Sequence, residues 1–379
     1  MKTFQSSYQK GEWQTPLPES SDAQLVLAFG SRELYSSMIA QASLKSAFPL
    51  ADIIGCSTSG EILGDQIYDD SLCITAITWA DTRFQIKVGN IGEYSDSQSA
   101  GRQLAEELDS DGLKHLFLLS DGQKVNGTRL VEGLKAVLPP SISITGGLAG
   151  DGERFEETIV WHNDRIESGL ILLCGLYGEA LQVGHGCVGG WEVFGPDRVI
   201  TKAKDNVLYE LDGTSALELY KNYLGEHANN LPGSALLFPL HVHSGDEEQG
   251  VVRTILSIDE DSQSMTFAGN IPEGDYAQLM HANFDRLIDG ASAAAQNAFT
   301  SMKQEDVGLA ILISCVGRRI VLKQRTDEEL EAAQDIFPGE VAQCGFYSYG
   351  EVSPLVSGAP CNLHNQSMTI TTFSERLNA

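Results

Sequence analysis

Three short loops gather the residue types that can do chemistry. CSTSGE runs from Cys56 to Glu61 and sets a thiol and the hydroxyls of Ser57, Thr58 and Ser59 before Gly60 and a carboxylate. GGLAGD carries Gly146, Gly147, Gly150 and Asp151, and GFYSYGE ends on Gly350 and Glu351. Glycines at such spacing let a backbone approach a ligand closely. An acid after the last glycine, where a P-loop has Lys and Ser/Thr, would repel phosphate. Cys56 can be read as a nucleophile served by a remote His, or as a small buried thiol beside a hydroxyl-rich turn. Cys315 followed by Arg318 reads either as an anion-binding turn or as a buried thiol with a salt-bridged Arg. His241 and His243 alternate, so both rings share one strand face. Asp246 and two glutamates follow, which suits a metal site or a plain surface edge. A single imidazole can also ligate haem iron, and His185, His241, His243 and His364 are all eligible. GHGCVG (184–189) has dinucleotide-loop spacing, but Trp191 to Pro196 cannot continue as the helix such a loop needs.

The elements that must position these loops repeat. LVLAFG (25–30), HLFLLS (115–120) and LAILISC (309–315) read as buried strands. Each is followed by a helical stretch, a proline, a second strand and a Gly-bounded loop. Pro49 precedes Gly55 by six residues, Pro140 precedes Gly146 by six, and Pro338 precedes Gly345 by seven. The closing pairs align as Gly60-Glu61, Gly150-Asp151 and Gly350-Glu351. A strand–helix–strand unit of this size is a right-handed crossover, with its loop at the carboxyl end where open sheets bind ligands. Further helices are expected over 31–47, 97–108, 127–138 and 275–300. Thr326 and Glu329 read as a capping box. The stretch 157–211 reads as antiparallel strands, and 225–233 is the most linker-like segment.

The chain has 379 residues, 52 acidic against 25 basic, and a formal net charge of −27. That balance excludes proteins that track phosphate backbones or anionic membranes, both of which need clustered Lys and Arg. Neither nucleic acid nor membrane is therefore an expected partner. The N-terminus lacks a signal-peptide core, and no apolar stretch is long enough to span a bilayer. Seven cysteines with no CxxC read as reduced thiols in a cytoplasmic protein. The 42% apolar content is that of a packed protein, and the length suits two domains. The expected division is a lead-in over 1–24, an N-terminal domain over 25–220 and a C-terminal domain over 221–373.

IGCSTSGEIL (54–63), GGLAGDGERFEETIVW (146–161) and TKAKDNVLYELDGTSALELY (201–220) resemble the FIST N-terminal domain. VVRTI (251–255), SCVGRR (314–319), GFYSYGEV (345–352) and HNQSMT (364–369) resemble the FIST C-terminal domain. The resemblance covers about residues 25–373. It implies an α/β fold of two domains, with mixed sheets flanked by helices and repeated strand–helix–strand–Gly-loop units. It also implies a non-enzymatic, stand-alone sensory input module of signal transduction that binds a small, amino-acid-like ligand. Such a module would act through a separate protein such as a histidine kinase. Bacterial members of this size include haem-binding nitric-oxide sensors of two-component systems, so haem b is the second ligand candidate, with His241 or His243 as axial ligand. The expected ligand site comprises Cys56, Ser57, Thr58, Ser59, Gly60 and Glu61 of the first loop and Gly146, Gly147, Gly150 and Asp151 of the second. Arg253, Cys315, Arg318, Gly350, Glu351, His364 and Asn365 complete it. The competing expectation is an enzyme with Cys56 as nucleophile.

Overall fold

Each of the three apolar runs pairs in parallel with the strand that follows its helix. Leu25–Gly30 pairs with Asp52–Ser57, Leu113–Ser120 with Ser143–Leu148, and Leu309–Cys315 with Ala342–Ser348. The computed structural model describes residues 1–36, 38–245, 250–302, 306–356 and 358–376. The crossovers are Met38–Ala47 in the first repeat, Gly127–Lys135 in the second, and Val316–Leu322 with Thr326–Gln334 in the third. Asn126 caps the second by accepting from the Arg129 N–H at 3.1 Å.

The glycine aligned in the three repeats has the same physical duty. Gly55 faces Ala28, Gly146 faces Leu118 and Gly345 faces Leu312 across the parallel pair. A Cβ at these glycines would lie 1.7, 1.9 and 1.7 Å from the facing carbonyl oxygen. No side chain fits there, so the two strands approach closely only because all three positions are glycine.

Each repeat contributes one sheet, and the sheets exchange hairpins in a ring. The first repeat sends Glu61–Leu63 and Gln66–Tyr68 to the edge of the third. The third sends Gly350–Pro354 and Cys361–His364 to the second. The second sends Val160–His162 and Arg165–Glu167 to the first. Every sheet then has the same order: borrowed hairpin, second inner strand, first inner strand, a return strand, a flanking strand. The return strands are Leu72–Thr78, Leu170–Tyr177 and Met368–Glu375. The inner faces of all three sheets meet in one core that includes Leu27, Phe29, Leu119, Leu172, Ile311 and Phe346. Burying side chains of this size stabilises by about 1.5–3 kcal/mol each.

The segment between the third repeat's flanking strand, Leu181–Val188, and its helix Phe284–Ser301 forms an antiparallel sheet of its own. Its central strands are Glu192–Lys204, Val207–Leu211, Leu240–His243 and Tyr276–His281. The helix Ala216–Leu224 packs on it, and Leu208, Leu217, Met265 and Phe267 form its separate core.

Several expectations need correction. Residues 1–24 are not a structureless lead-in: Lys2–Gln9 is the flanking strand of the first sheet, paired with Leu72–Thr78. Its alternation is masked because all but Phe4 and Tyr8 of the strand are polar and it is buried only in part. The helix expected from 275 begins at Phe284, since Tyr276–His281 is a central strand of the inserted sheet. The expected helix over 31–47 divides into a 3₁₀ turn, Arg32–Ser36, and the helix Met38–Ala47. Thr326 does not cap its helix. Its hydroxyl donates to the Lys323 carbonyl at 2.5 Å, and Glu329 turns inward instead of reaching back.

Candidate functional site

The three Gly-bounded loops converge and bind one another. Ser59 N–H donates to the Tyr347 carbonyl at 2.8 Å, Tyr349 N–H to Leu148 at 3.2 Å, and Gly150 N–H to Ser57 at 2.8 Å. Each bond runs from the fourth residue after an aligned glycine to the second residue after the next repeat's glycine. The loops thus satisfy their polar groups mutually. Ser57 Oγ donates to the Gly150 carbonyl at 2.8 Å, and Ser59 Oγ to Gly152 at 3.2 Å. Gly60, at φ 127°, leaves room for Arg319, whose guanidinium would touch any Cβ there. Arg319 itself holds the Ser59 carbonyl at 2.6 Å and Asp69 at 2.6 Å.

Glu61 and Glu351 sit alike. Thr58 Oγ1 donates to Glu61 at 2.5 Å and Ser71 Oγ at 2.7 Å. Ser348 Oγ donates to Glu351 at 2.6 Å and Ser367 Oγ at 2.9 Å, with the Ser367 N–H at 3.2 Å. Burial pushes both carboxyls up to about 8, against the hydroxyl bonds that they accept.

Asp151 is not their counterpart. Glu61 and Glu351 each pair with the residue after an aligned glycine, Phe346 and Gly147. In the second repeat that register belongs to Val160, opposite Cys56. Val160 lies fourteen residues after Gly146, where the acids lie six after theirs, so the loop carries an insertion and Asp151 lies in it. Its fully buried carboxylate receives Arg154 at 2.5 Å and Arg32 at 3.4 Å.

Arg318 is likewise enclosed. Its Nη2 donates to Glu329 at 2.8 Å and to the Leu287 carbonyl at 2.7 Å, and its Nη1 to Gly189. Ser314 and Tyr347 hydroxyls complete Glu329 at 3.0 and 2.7 Å. This network ties the third repeat to the start of the inserted segment. Cys56 and Cys315 are buried, and burial raises both thiols, which is the opposite of an activated nucleophile. His364 Nε2 contacts the Ser353 carbonyl at 2.9 Å, and burial lowers the ring to about 4. Asn365, 1% exposed, has neither amide atom partnered.

Clefts able to admit a ligand open elsewhere. One of about 640 Å³ lies between the helix Gly127–Lys135, the strand Cys361–His364 and the inserted sheet. Arg253 lies in its wall, 5% exposed. Its Nε donates to the Asn270 carbonyl at 3.1 Å and its Nη1 to Leu363 at 3.1 Å. No carboxylate lies within ion-pair reach of it among the described residues. Burial lowers the group to about 10, so it stays charged at pH 7. Arg129 and Lys135 add positive charge to the cleft, and Glu132, Asp205 and Glu273 add negative charge. Of the residues expected to form the amino-acid-like ligand site, Arg253 lines it, and so does His243, expected as a haem ligand. Arg129, Lys135 and Asn270 were missed, since no motif marks them and only the tertiary fold brings them to Arg253.

His241 and His243 stack at 5.2 Å, and His243 stacks on Tyr276 at 5.6 Å. His243 Nε2 meets Asp197 at 3.3 Å. The Asp246 and glutamates expected beside them lie outside the described residues. His243 lines the same cleft.

The FIST N domain family model matches residues 24–214, and the FIST C domain model matches residues 216–354. The chain belongs to the FIST family. FIST domains are sensory domains of signal transduction, and the mixed sheets with flanking helices are the α/β architecture expected of this pair. An uncharacterized protein of Methanocaldococcus jannaschii, MJ1623, is 23% identical over 316 residues, which is 76% of this FIST chain. The match spans 59% of that relative's length. Among the described residues of the FIST chain, no helix is long and apolar enough to cross a membrane.

Proposed function

We propose that this FIST protein is a non-enzymatic sensor that binds a small amino-acid-like ligand in the Arg253 cleft and signals through a partner protein such as a histidine kinase. The observation that carries the reading is Arg253 itself. A guanidinium that is buried, charged and, among the described residues, without a carboxylate is costly to hold, and an anion entering the cleft would relieve that cost. A bound carboxylate can take two parallel hydrogen bonds from such a group. The acids across the cleft, Glu132, Asp205 and Glu273, suit the ammonium of the same molecule.

The cleft also suits signalling. Arg253 belongs to the inserted sheet, yet its Nη1 reaches the Leu363 carbonyl of the threefold body. A ligand on Arg253 therefore acts at the seam between the two, and a seam is what a partner can read. A binding role rather than a catalytic one is supported by the buried, raised thiol of Cys56.

The test is a calorimetric screen of the twenty amino acids and their dicarboxylate analogues. At least one is expected to bind with 1:1 stoichiometry. Arg253→Met should weaken it by about 100-fold, as loss of a charged hydrogen bond worth about 3 kcal/mol would. An affinity unchanged in Arg253→Met, or no binder at all, would sink the reading.

A further inference from the structure

A second cavity, of about 520 Å³, opens beside the Arg253 cleft and shares Lys135 with it. Its walls are apolar and stiff: Pro139, Pro140 and Ile142 from the second repeat, Leu181 and Val183 from the third repeat's flanking strand, and Pro360. Alternation along that strand sets Leu181, Val183 and His185 on one face. His185 is therefore the polar group that follows two apolar ones into the groove. It is 8% exposed, and its Nδ1 is buried without a partner. Burial lowers its pKa, so the imidazole is neutral. Ser143 lies on the groove as well, and its hydroxyl is already engaged by the His115 Nδ1 at 2.7 Å. Lys114 stands at the rim with Glu179 at 2.7 Å. Lys135 reaches the Asn362 side chain at 3.3 Å and has no acidic partner among the described residues.

Each feature selects part of an occupant. Proline and aliphatic walls take a flat apolar body. A buried imidazole with an unmet nitrogen needs a polar atom from that body, because a polar group left unpaired in an apolar wall is costly. The lysines at the rim favour a negative charge at the outer end. We infer that this groove is a second ligand site, for a flat apolar anion, an aromatic ring system bearing a carboxylate whose inner polar atom meets His185.

The probe is 6-hydroxy-2-naphthoate, whose hydroxyl can meet His185 while its carboxylate lies at the lysine rim, titrated calorimetrically into the full chain. One equivalent is expected to bind. His185→Leu should weaken it at least tenfold and Lys135→Glu several-fold, while Val183→Trp, which fills the groove, should abolish it. Arg253→Met should leave it unchanged, which separates this site from the amino-acid cleft. If His185→Leu does not fold by circular dichroism, the exposed Lys135→Glu still carries the test. Absence of binding at millimolar naphthoate, or binding indifferent to Val183→Trp and Lys135→Glu, would overturn the inference. Metal-free protoporphyrin IX and hemin are both expected to displace naphthoate. Displacement by hemin alone, with a sharp Soret band lost in His185→Leu, would overturn the ligand class in favour of iron ligation.

Discussion

The first and third repeats bury a carboxyl where the second buries a valine, and the surroundings change with it. Glu61 is held by Ser71, whose carbonyl takes the Ser31 N–H, and Glu351 by Ser367, whose carbonyl takes the Cys315 N–H; the matching carbonyl in the second repeat, which takes the Asp121 N–H, is that of Leu170. In the second repeat the acid position is Val160 and the serine position is Leu170, and both join the central core. Acid and hydroxyl are thus replaced together by two apolar side chains. A buried carboxyl needs its donors, and lone hydroxyls would be as costly as a lone acid. The same backbone pairing accepts either solution if both halves match. The acids are therefore polar fasteners of the exchanged hairpins, and the ligand sites proposed above use clefts between other elements.

This comparison can be broken at three levels. Largest is the glycine common to all repeats. Gly146→Ala places a Cβ inside the Leu118 carbonyl, and a clash with backbone costs about 3 kcal/mol or more. We expect little folded protein, checked by circular dichroism and size exclusion; a variant that melts normally would mean that the close approach is not required. Next is Glu61→Val, which strands the Thr58 and Ser71 hydroxyls and should cost about 2 kcal/mol in urea unfolding. Adding Ser71→Leu copies the second repeat and should recover part of that loss. Equal or additive losses in this double-mutant cycle would show that the pair is not a unit.

The smallest effect is the pH dependence. Both glutamates have their pKa raised from an ordinary 4.5 to about 8 in the fold. Between those values the folded state keeps a proton that the unfolded chain has lost. Their contribution is therefore whole below pH 4.5 and declines as pH rises toward about 8. Glu61→Gln with Glu351→Gln should flatten the slope of stability over that window. An unchanged slope would mean that the acids are ionised in the fold.

Much of this architecture was legible in the sequence because it rests on local physics. Apolar runs of six to eight residues, helix periodicity and proline stops mark the strand–helix–strand units. The proline-to-glycine spacing found Gly55, Gly146 and Gly345, since a close backbone approach leaves no substitute for glycine. Where a residue's duty depends on a distant partner, the reading went astray. Asp151 aligned with Glu61 by its neighbouring glycine, yet strand register assigns that place to Val160. Thr326 and Glu329 had the spacing of a capping box, but Arg318 draws Glu329 inward. Lys2–Gln9 looked featureless because a flanking strand needs only a neighbour's edge to pair with.

The sequence by itself determined the family, the three repeats and the positions where only glycine fits, because each is a matter of local sterics or motif. The tertiary structure alone decided that the repeats trade hairpins in a ring and that the Gly-bounded loops lock onto one another. It alone decided that Arg253 and His185 face clefts, the latter with its Nδ1 unmet. Pairing and burial join residues hundreds of positions apart, and no local pattern in the chain encodes which backbone edge will meet which.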